Sequence, residues 1–162
     1  MRSILRQVRP GLSRAGVFVT RTTPVADLKG LIQRLRPLAI HTPLVRLGPE
    51  GDGGYLVPDD LGAITACLSP GVDQVSDFEL DCAERGMQVY LADHSVEGPA
   101  APHANFHFTR KFVGAVTDDV FMTLDDWVEA AGVPGDGDLL LQMDIEGAEY
   151  ETLLATPKTL LR

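Results

Sequence analysis

The sequence predicts an α/β fold built on a mostly parallel sheet. Short apolar runs alternate with segments of helical period, the pattern of strand–helix–strand units. The run Leu139 to Met143 is apolar on both faces, as expected of a strand with neighbours on both sides. Three of the predicted strands end in residues that carry chemistry or turn the chain: Gly71, Asp93 and Asp144. In parallel sheets, ligands bind beyond the carboxyl ends of the strands.

The elements follow in order. Residues 1–24 show no firm period and read as a loose or partly helical arm. From Val25 to Leu35, the residues Leu28, Leu31, Ile32 and Leu35 recur at helical spacing, and Pro37 closes that helix. Arg46 to Pro58 holds Gly51, Gly53, Gly54 and Asp52 between short apolar pieces, which marks a tight turn. Strands are expected at about 64–69, 87–92, 105–113 and 139–143, with the first one central. Between the first two, Ser76 with Glu79 three residues on has the spacing of a capping box, and Gly86 stops the helix. Thr123-Leu124-Asp125-Asp126 opens a helix through Trp127 that Gly132 stops, and Glu149 begins another. Trp127 is expected in the core or at a helix–sheet contact.

Composition bounds the class. A chain of 162 residues with 44% hydrophobic and 23% charged residues suits one domain with its own core. The sequence contains no run of 18 apolar residues, so no membrane span is expected, and no apolar stretch of a secretory signal opens it. Cys67 and Cys82 lie in apolar surroundings and read as buried thiols, which points to a reducing cytoplasm. Residues 1–46 hold nine Lys or Arg against Asp27 alone, a net +8; with a total of −9, the remainder carries −17. Such an arm can touch an acidic polymer or anionic lipid. The plainer reading, preferred here, lays it on the protein's own acidic body. Phe18 is its one aromatic residue, which argues against base stacking and so against nucleic acid.

The strand ends suggest a ligand. Ser69-Pro70-Gly71 turns the chain after the first strand, and Asp93 follows Gly71 by 22 residues. A glycine turn with an acid about 20 residues on can hold a ribose diol. Taken alone, Asp93 reads equally as a strand-end turn residue. His94 is a candidate base but more simply a turn histidine, and His103 and His107 with Asp93 form no recognised metal spacing. No metal is expected.

Five segments resemble, in order and spacing, the FkbM-type methyltransferase family. They are Gly53-Gly54-Tyr55, Gly71-Val72 with Phe78-Glu79, Asp93, Thr123 to Asp126, and Asp144-Ile145-Glu146-Gly147-Ala148-Glu149. The resemblance covers about residues 46–155. It implies a Rossmann-like class I methyltransferase fold, a three-layer sandwich, with S-adenosyl-L-methionine as cofactor and an acceptor hydroxyl on a sugar or a secondary metabolite. On that resemblance, Ser69 and Gly71 turn under the cofactor's methionine end, and Asp93 accepts from the ribose hydroxyls. Asp144 faces the sulfonium and the acceptor, and Glu146 shares its work. Gly53, Gly54 and Tyr55 form a substrate-binding loop, although turn chemistry alone makes them a plain hairpin. Glu149 reads as an acid stabilising a helix start.

The class I fold has seven strands, and about four are legible here. The expected organisation is therefore a basic arm and helix over 1–45 and a partial methyltransferase domain over 46–162. An apolar edge at 139–143 is an association hazard. Either residues beyond this sequence or a partner, such as a second copy, would cover it. Two other readings remain: a non-catalytic cofactor-binding or interaction module, and a nicotinamide-binding Rossmann protein. The single glycine of Ser69-Pro70-Gly71 and the acidic 144–149 stretch argue against the latter.

Overall fold

The computed structural model describes residues 24–36, 38–72, 74–135 and 137–161. Residues 1–23 of the basic arm and the helix-closing Pro37 lie outside the described residues. The chain divides into two compact units, residues 1–40 and 41–162.

In the first unit, helix α1 spans Val25–Arg34. Its first turn is anchored by Asp27 and Leu28, whose N–H groups donate to Pro24 O. Asp27 at its start and Arg34 at its end oppose the helix dipole.

The second unit opens with an antiparallel hairpin of strands β1 (Leu44–Leu47) and β2 (Tyr55–Pro58), in which Leu44 pairs with Pro58 and Leu47 with Tyr55. The unit boundary thus falls before β1, whereas the sequence reading cut the chain inside this strand. Leu44 and Val45 belong with the second unit because their ladder partners are there. The tight turn expected over 46–58 is the connection of this hairpin.

Four further strands form the main sheet: β3 (Ala66–Pro70), β4 (Gln88–Ala92), β5 (Phe106–Thr109) and β8 (Leu139–Leu141). All neighbours are parallel, in the order β5-β4-β3-β8. The first strand of the four is central, as the alternation of runs predicts. The third expected strand, 105–113, is two strands. β5 stops at Thr109; the chain turns as Lys111 N–H bonds back to Thr109 O, and β6 (Phe112–Val113) pairs in parallel with β7 (Phe121–Met122). Alternation ran through the turn because Phe112 keeps the phase of Phe106 and Phe108.

Side-chain alternation along β3 and β4 separates two cores. Cys67, Val89 and Leu91 pack with Leu47 and with Phe78 and Cys82 of helix α2 (Asp77–Glu84). Ala66, Leu68, Tyr90 and Ala92 pack with Val113, Met122 and with Leu124 and Trp127 of helix α3 (Leu124–Ala131). Trp127 is 1% exposed, as expected of a core residue. The result is a parallel sheet with helices on both faces, compatible with a Rossmann-like fold. Helix α4 (Glu149–Ala155) follows β8. Among the described residues β8 pairs with β3 alone, and its three leucines are half-buried. No helix among the described residues is long and apolar enough to cross a membrane.

The helix ends show which local signals hold. Thr123 caps α3 by accepting from Asp126 N, and Gly132 closes it at φ +63. Gly86 follows α2 at φ +92. The capping box at Ser76 does not form. Ser76 Oγ instead accepts from Ala100 N at 3.2 Å, and Glu79 turns inward to the sheet. The same spacing serves a tertiary contact because the loop at Ala100 supplies the donor.

Candidate functional site at the β3–β8 switch

The parallel ladder brings three strand ends to one edge. β3 runs into Gly71, β4 into Asp93, and the pairing of β8 continues past its end: Gln142 N donates to Leu68 O at 3.0 Å and Asp144 N to Pro70 O at 3.5 Å. β4 and β8 lie on opposite sides of β3, so the strand order reverses here. That reversal is the crevice where doubly wound sheets take ligands.

Gly71 makes the convergence feasible. It sits at φ +93, and its N–H donates to Ala92 O at 3.0 Å. A Cβ at this position would lie 1.9 Å from the carbonyl oxygen of Asp144. The glycine therefore lets the loops after β3 and β8 touch, apart from any room it leaves for a ligand.

Asp93 is 8% exposed and accepts three hydrogen bonds. Val72 N reaches Oδ2 at 3.1 Å, while Ser95 N and Oγ each reach Oδ1 at 2.6 Å. A carboxylate offers about four acceptor sites, so Oδ2 keeps one. Rotation of the Ser95 hydroxyl frees a second on Oδ1. The residue is at once a strand-end turn former and a group with capacity for a diol.

Asp144 and Glu146 are exposed at the mouth of the crevice. The Tyr55 hydroxyl donates to Asp144 Oδ2 at 3.2 Å, tying the hairpin to the strand ends. Burial, then the nearby Asp144 charge, raises the Tyr55 phenol above its ordinary pKa. Glu146 holds φ +58, the one non-glycine residue with positive φ among those described. Such a conformation costs about 1 kcal/mol or more and persists only where the surroundings enforce it. Glu149 is the enforcing group. Its Oε1 accepts from Ile145 N at 3.0 Å and Gly147 N at 3.2 Å. Backbone hydrogen bonds from its own N–H, Gly147 and Ile145 hold its carboxyl below the ordinary value. The acid at the helix start thus braces the loop that carries Asp144 and Glu146.

Two cavities meet these residues. One, of about 510 Å³, is lined by Asp52, Gly53, Tyr55, Gly71, Val72, Val75, Phe78, Glu79, Asp93, Gln142, Asp144 and Glu146. The other, of about 400 Å³, shares Gly71, Asp93, Asp144 and Glu146 with it and is otherwise mostly apolar, with Phe112, Val113, Phe121 and Ile145. The larger one presents five carboxyl groups and no lysine, arginine or histidine among its lining residues. Its field favours a cationic or neutral ligand and disfavours an anion.

Not every expected residue lines these spaces. Ser69 is 0% exposed and sits behind the wall, its Oγ 2.5 Å from Glu79 Oε1 and 2.8 Å from Gln142 Oε1. Gly54 is absent from both linings. Its Cα packs on the turn, where an added Cβ would meet Pro49 O at 1.8 Å, and Arg46 Nη1 clasps the carbonyls of Pro49 and Gly54. Gly53, beside it, does line the larger cavity. His94 faces the Arg110 carbonyl and the Phe112 ring, His103 bonds Asn105 N, and His107 bonds Gln88 and stacks on Tyr90. None of the three lines either cavity, and no metal-binding cluster occurs among the described residues. Cys67 and Cys82 are buried free thiols; their mutual hydrogen bond and burial push the Cys67 thiol well above its ordinary pKa.

Gln142 is a cavity residue to which the sequence assigns no role, and Glu79, which lies in one of the family-like segments, is assigned only a cap. Gln142 carried a signal, a polar residue following three leucines. Glu79 carried one that pointed to a cap. Comparison with protein-family models, curated proteins and solved structures returned no match.

Proposed function

We propose that the chain is an S-adenosyl-L-methionine-dependent methyltransferase acting on a hydroxyl of a sugar or secondary metabolite, as its resemblance to FkbM-type enzymes implies. One observation carries the reading: the crevice where strand order reverses is lined by Gly71, Asp93 and Asp144 together. The residues present suit the cofactor. Asp93 has capacity for the ribose hydroxyls. The apolar cavity bounded by Phe112, Phe121 and Ile145 offers flat surface for a purine. The carboxyl-rich wall suits a sulfonium cation.

The cofactor supplies an electrophilic methyl group on positively charged sulfur. The protein's share is positioning and charge. Asp144 attracts the cation and accepts the proton of the acceptor hydroxyl, directly or through water. Tyr55, already bonded to Asp144, fixes the orientation of that carboxylate. With the cofactor held there, its methyl group would pass to the acceptor oxygen, and Asp144 would hold the proton that oxygen gives up. Glu146 lies close in the same loop and adds to the negative field.

Isothermal titration with S-adenosylmethionine, S-adenosylhomocysteine and NAD tests the reading, followed by methyl transfer to a panel of hydroxylated acceptors. The expected result is binding of the first two and not of NAD. No binding of either adenosyl compound at millimolar concentration rejects the proposal. Binding without transfer to any acceptor leaves the non-catalytic cofactor-binding module as the function.

A further inference from the structure

Glu79 is a buried carboxyl group that the transfer chemistry above does not use. It stands on the first turn of α2, is 8% exposed and lines the larger cavity. Its carboxyl meets Ser69 Oγ and its own backbone N–H, and Ser69 Oγ also meets Gln142 Oε1. Gln142 borders the same cavity. A serine hydroxyl has one proton, so it cannot donate to two acceptors at once. With the Gln142 amide as oriented here, a proton on Glu79 completes the chain: Glu79 donates to Ser69, and Ser69 donates to Gln142. Burial agrees with this, since it pushes the Glu79 carboxyl above its ordinary value, and the Asp77 charge adds to the rise. The hydrogen bonds from Ser69 and from Glu79's own N–H oppose it.

A second arrangement of the same atoms fits an ionised Glu79. If the Gln142 amide turns, its N–H donates to Ser69 Oγ, and the serine proton moves round to Glu79. The carboxylate then has free lone pairs facing the cavity. A buried carboxylate with no cation beside it is unfavourable, and a ligand cation supplies the missing partner. The surrounding ionisable groups cannot: Asp77 on the same helix, Cys67 on β3, Asp93 after β4, Asp144 and Glu146 after β8, and Asp52 and Tyr55 of the hairpin are all acids.

We propose that Glu79 is the receptor for the α-ammonium group of the cofactor's amino-acid end, and that binding drives a proton off Glu79 through the Ser69–Gln142 switch. This rests on the reading of the crevice as a site for S-adenosylmethionine. The sign follows directly. The free carboxyl is protonated at low pH and the bound one is ionised, so affinity falls as pH drops through the raised value of free Glu79.

The test uses the full chain and two probes. S-adenosylhomocysteine carries the amino-acid end; 5′-methylthioadenosine has the same nucleoside and thioether without it. Glu79→Gln is expected to weaken S-adenosylhomocysteine by about ten- to a hundredfold, the range for losing a charged hydrogen-bond partner. It should leave methylthioadenosine within about twofold. Titration in two buffers of different ionisation enthalpy, from about pH 5 to about pH 7, should show proton release by the wild type with the first probe only. This second measurement needs no variant and stands even if Glu79→Gln folds poorly. Equal weakening of both probes, no weakening of either, or no proton release in the wild type overturns the role of Glu79. Failure of the wild type to bind either probe rejects the methyltransferase reading itself.

Discussion

Replacing Gly71 by alanine tests whether the loops after β3 and β8 depend on touching. The added Cβ would lie 1.9 Å from the Asp144 carbonyl oxygen and 2.9 Å from its carbon. An ordinary carbon–oxygen contact is about 3.4 Å, so the Asp144 carbonyl must retreat by roughly 1.5 Å. The bond from Asp144 N to Pro70 O is already long at 3.5 Å and will not survive that shift. Two penalties add. An alanine at φ +93 costs about 1–2 kcal/mol. Overpacking against backbone costs about 1–3 kcal/mol. The expected loss is about 2–5 kcal/mol, a large share of the 5–15 kcal/mol typical of a folded domain. Urea unfolding followed by circular dichroism measures it. Gly51→Ala and Gly62→Ala serve as controls, because nothing lies within 4 Å of a Cβ at either position. Each should change stability by less than about 1 kcal/mol. Binding of S-adenosylhomocysteine should fall with stability in Gly71→Ala, since Asp144 moves with its carbonyl. A Gly71→Ala protein as stable as the controls and with unchanged affinity would refute the reasoning.

Asp93→Ala should destabilise the protein even without ligand, by about 1–3 kcal/mol, because the buried Val72 N–H loses its acceptor. Asp93→Asn should fall between, keeping one carbonyl oxygen; a ligand-free melting curve identical to wild type for the alanine variant would leave Asp93 with no part in the turn. Glu149→Gln should weaken the 144–147 loop, and the sign of its pH dependence is set by the lowered carboxyl. The folded value lies below the unfolded one of about 4.3, so the stabilisation is present above that pH and lost as pH falls through the folded value. Unfolding curves should therefore separate wild type from Glu149→Gln at about pH 7 and converge on acidification; a gap that stays constant with pH would show that ionisation of Glu149 does not brace the loop.

The parts of the fold legible in the sequence are those set by short-range physics. The β3, β4 and β8 runs stand out because buried parallel strands need apolar residues on both faces. Helix α3 is legible at both ends, since Thr123 and Gly132 act on their own backbone neighbours. β6 and β7 are not legible: strands of two residues carry no period, and their pairing is supplied by Phe112 N to Val120 O and Gly114 N to Met122 O. The break after Thr109 is hidden for a related reason. A turn that bonds Lys111 N to Thr109 O leaves the alternation of phenylalanines intact.

The candidate site divides along the same line. Gly71, Asp93 and Asp144 can be found by position, because a parallel sheet whose order reverses at β3 must deliver these three ends to one crevice. Glu79 cannot be found that way. Serine followed three residues later by glutamate describes a reciprocal cap if both side chains turn to the helix backbone. It describes something else once Ala100 N claims Ser76 and Ser69 lies within reach of Glu79. Which geometry wins depends on donors more than twenty residues away or on another strand, and spacing contains neither. The Glu79 carboxyl, bonded to Ser69 in place of the reciprocal cap, is buried and borders the larger cavity. Glu79 stays on the first turn of its helix while its carboxyl meets Ser69 beside the cavity, so the residue that spacing marks as a cap is the one the proposed ammonium receptor needs.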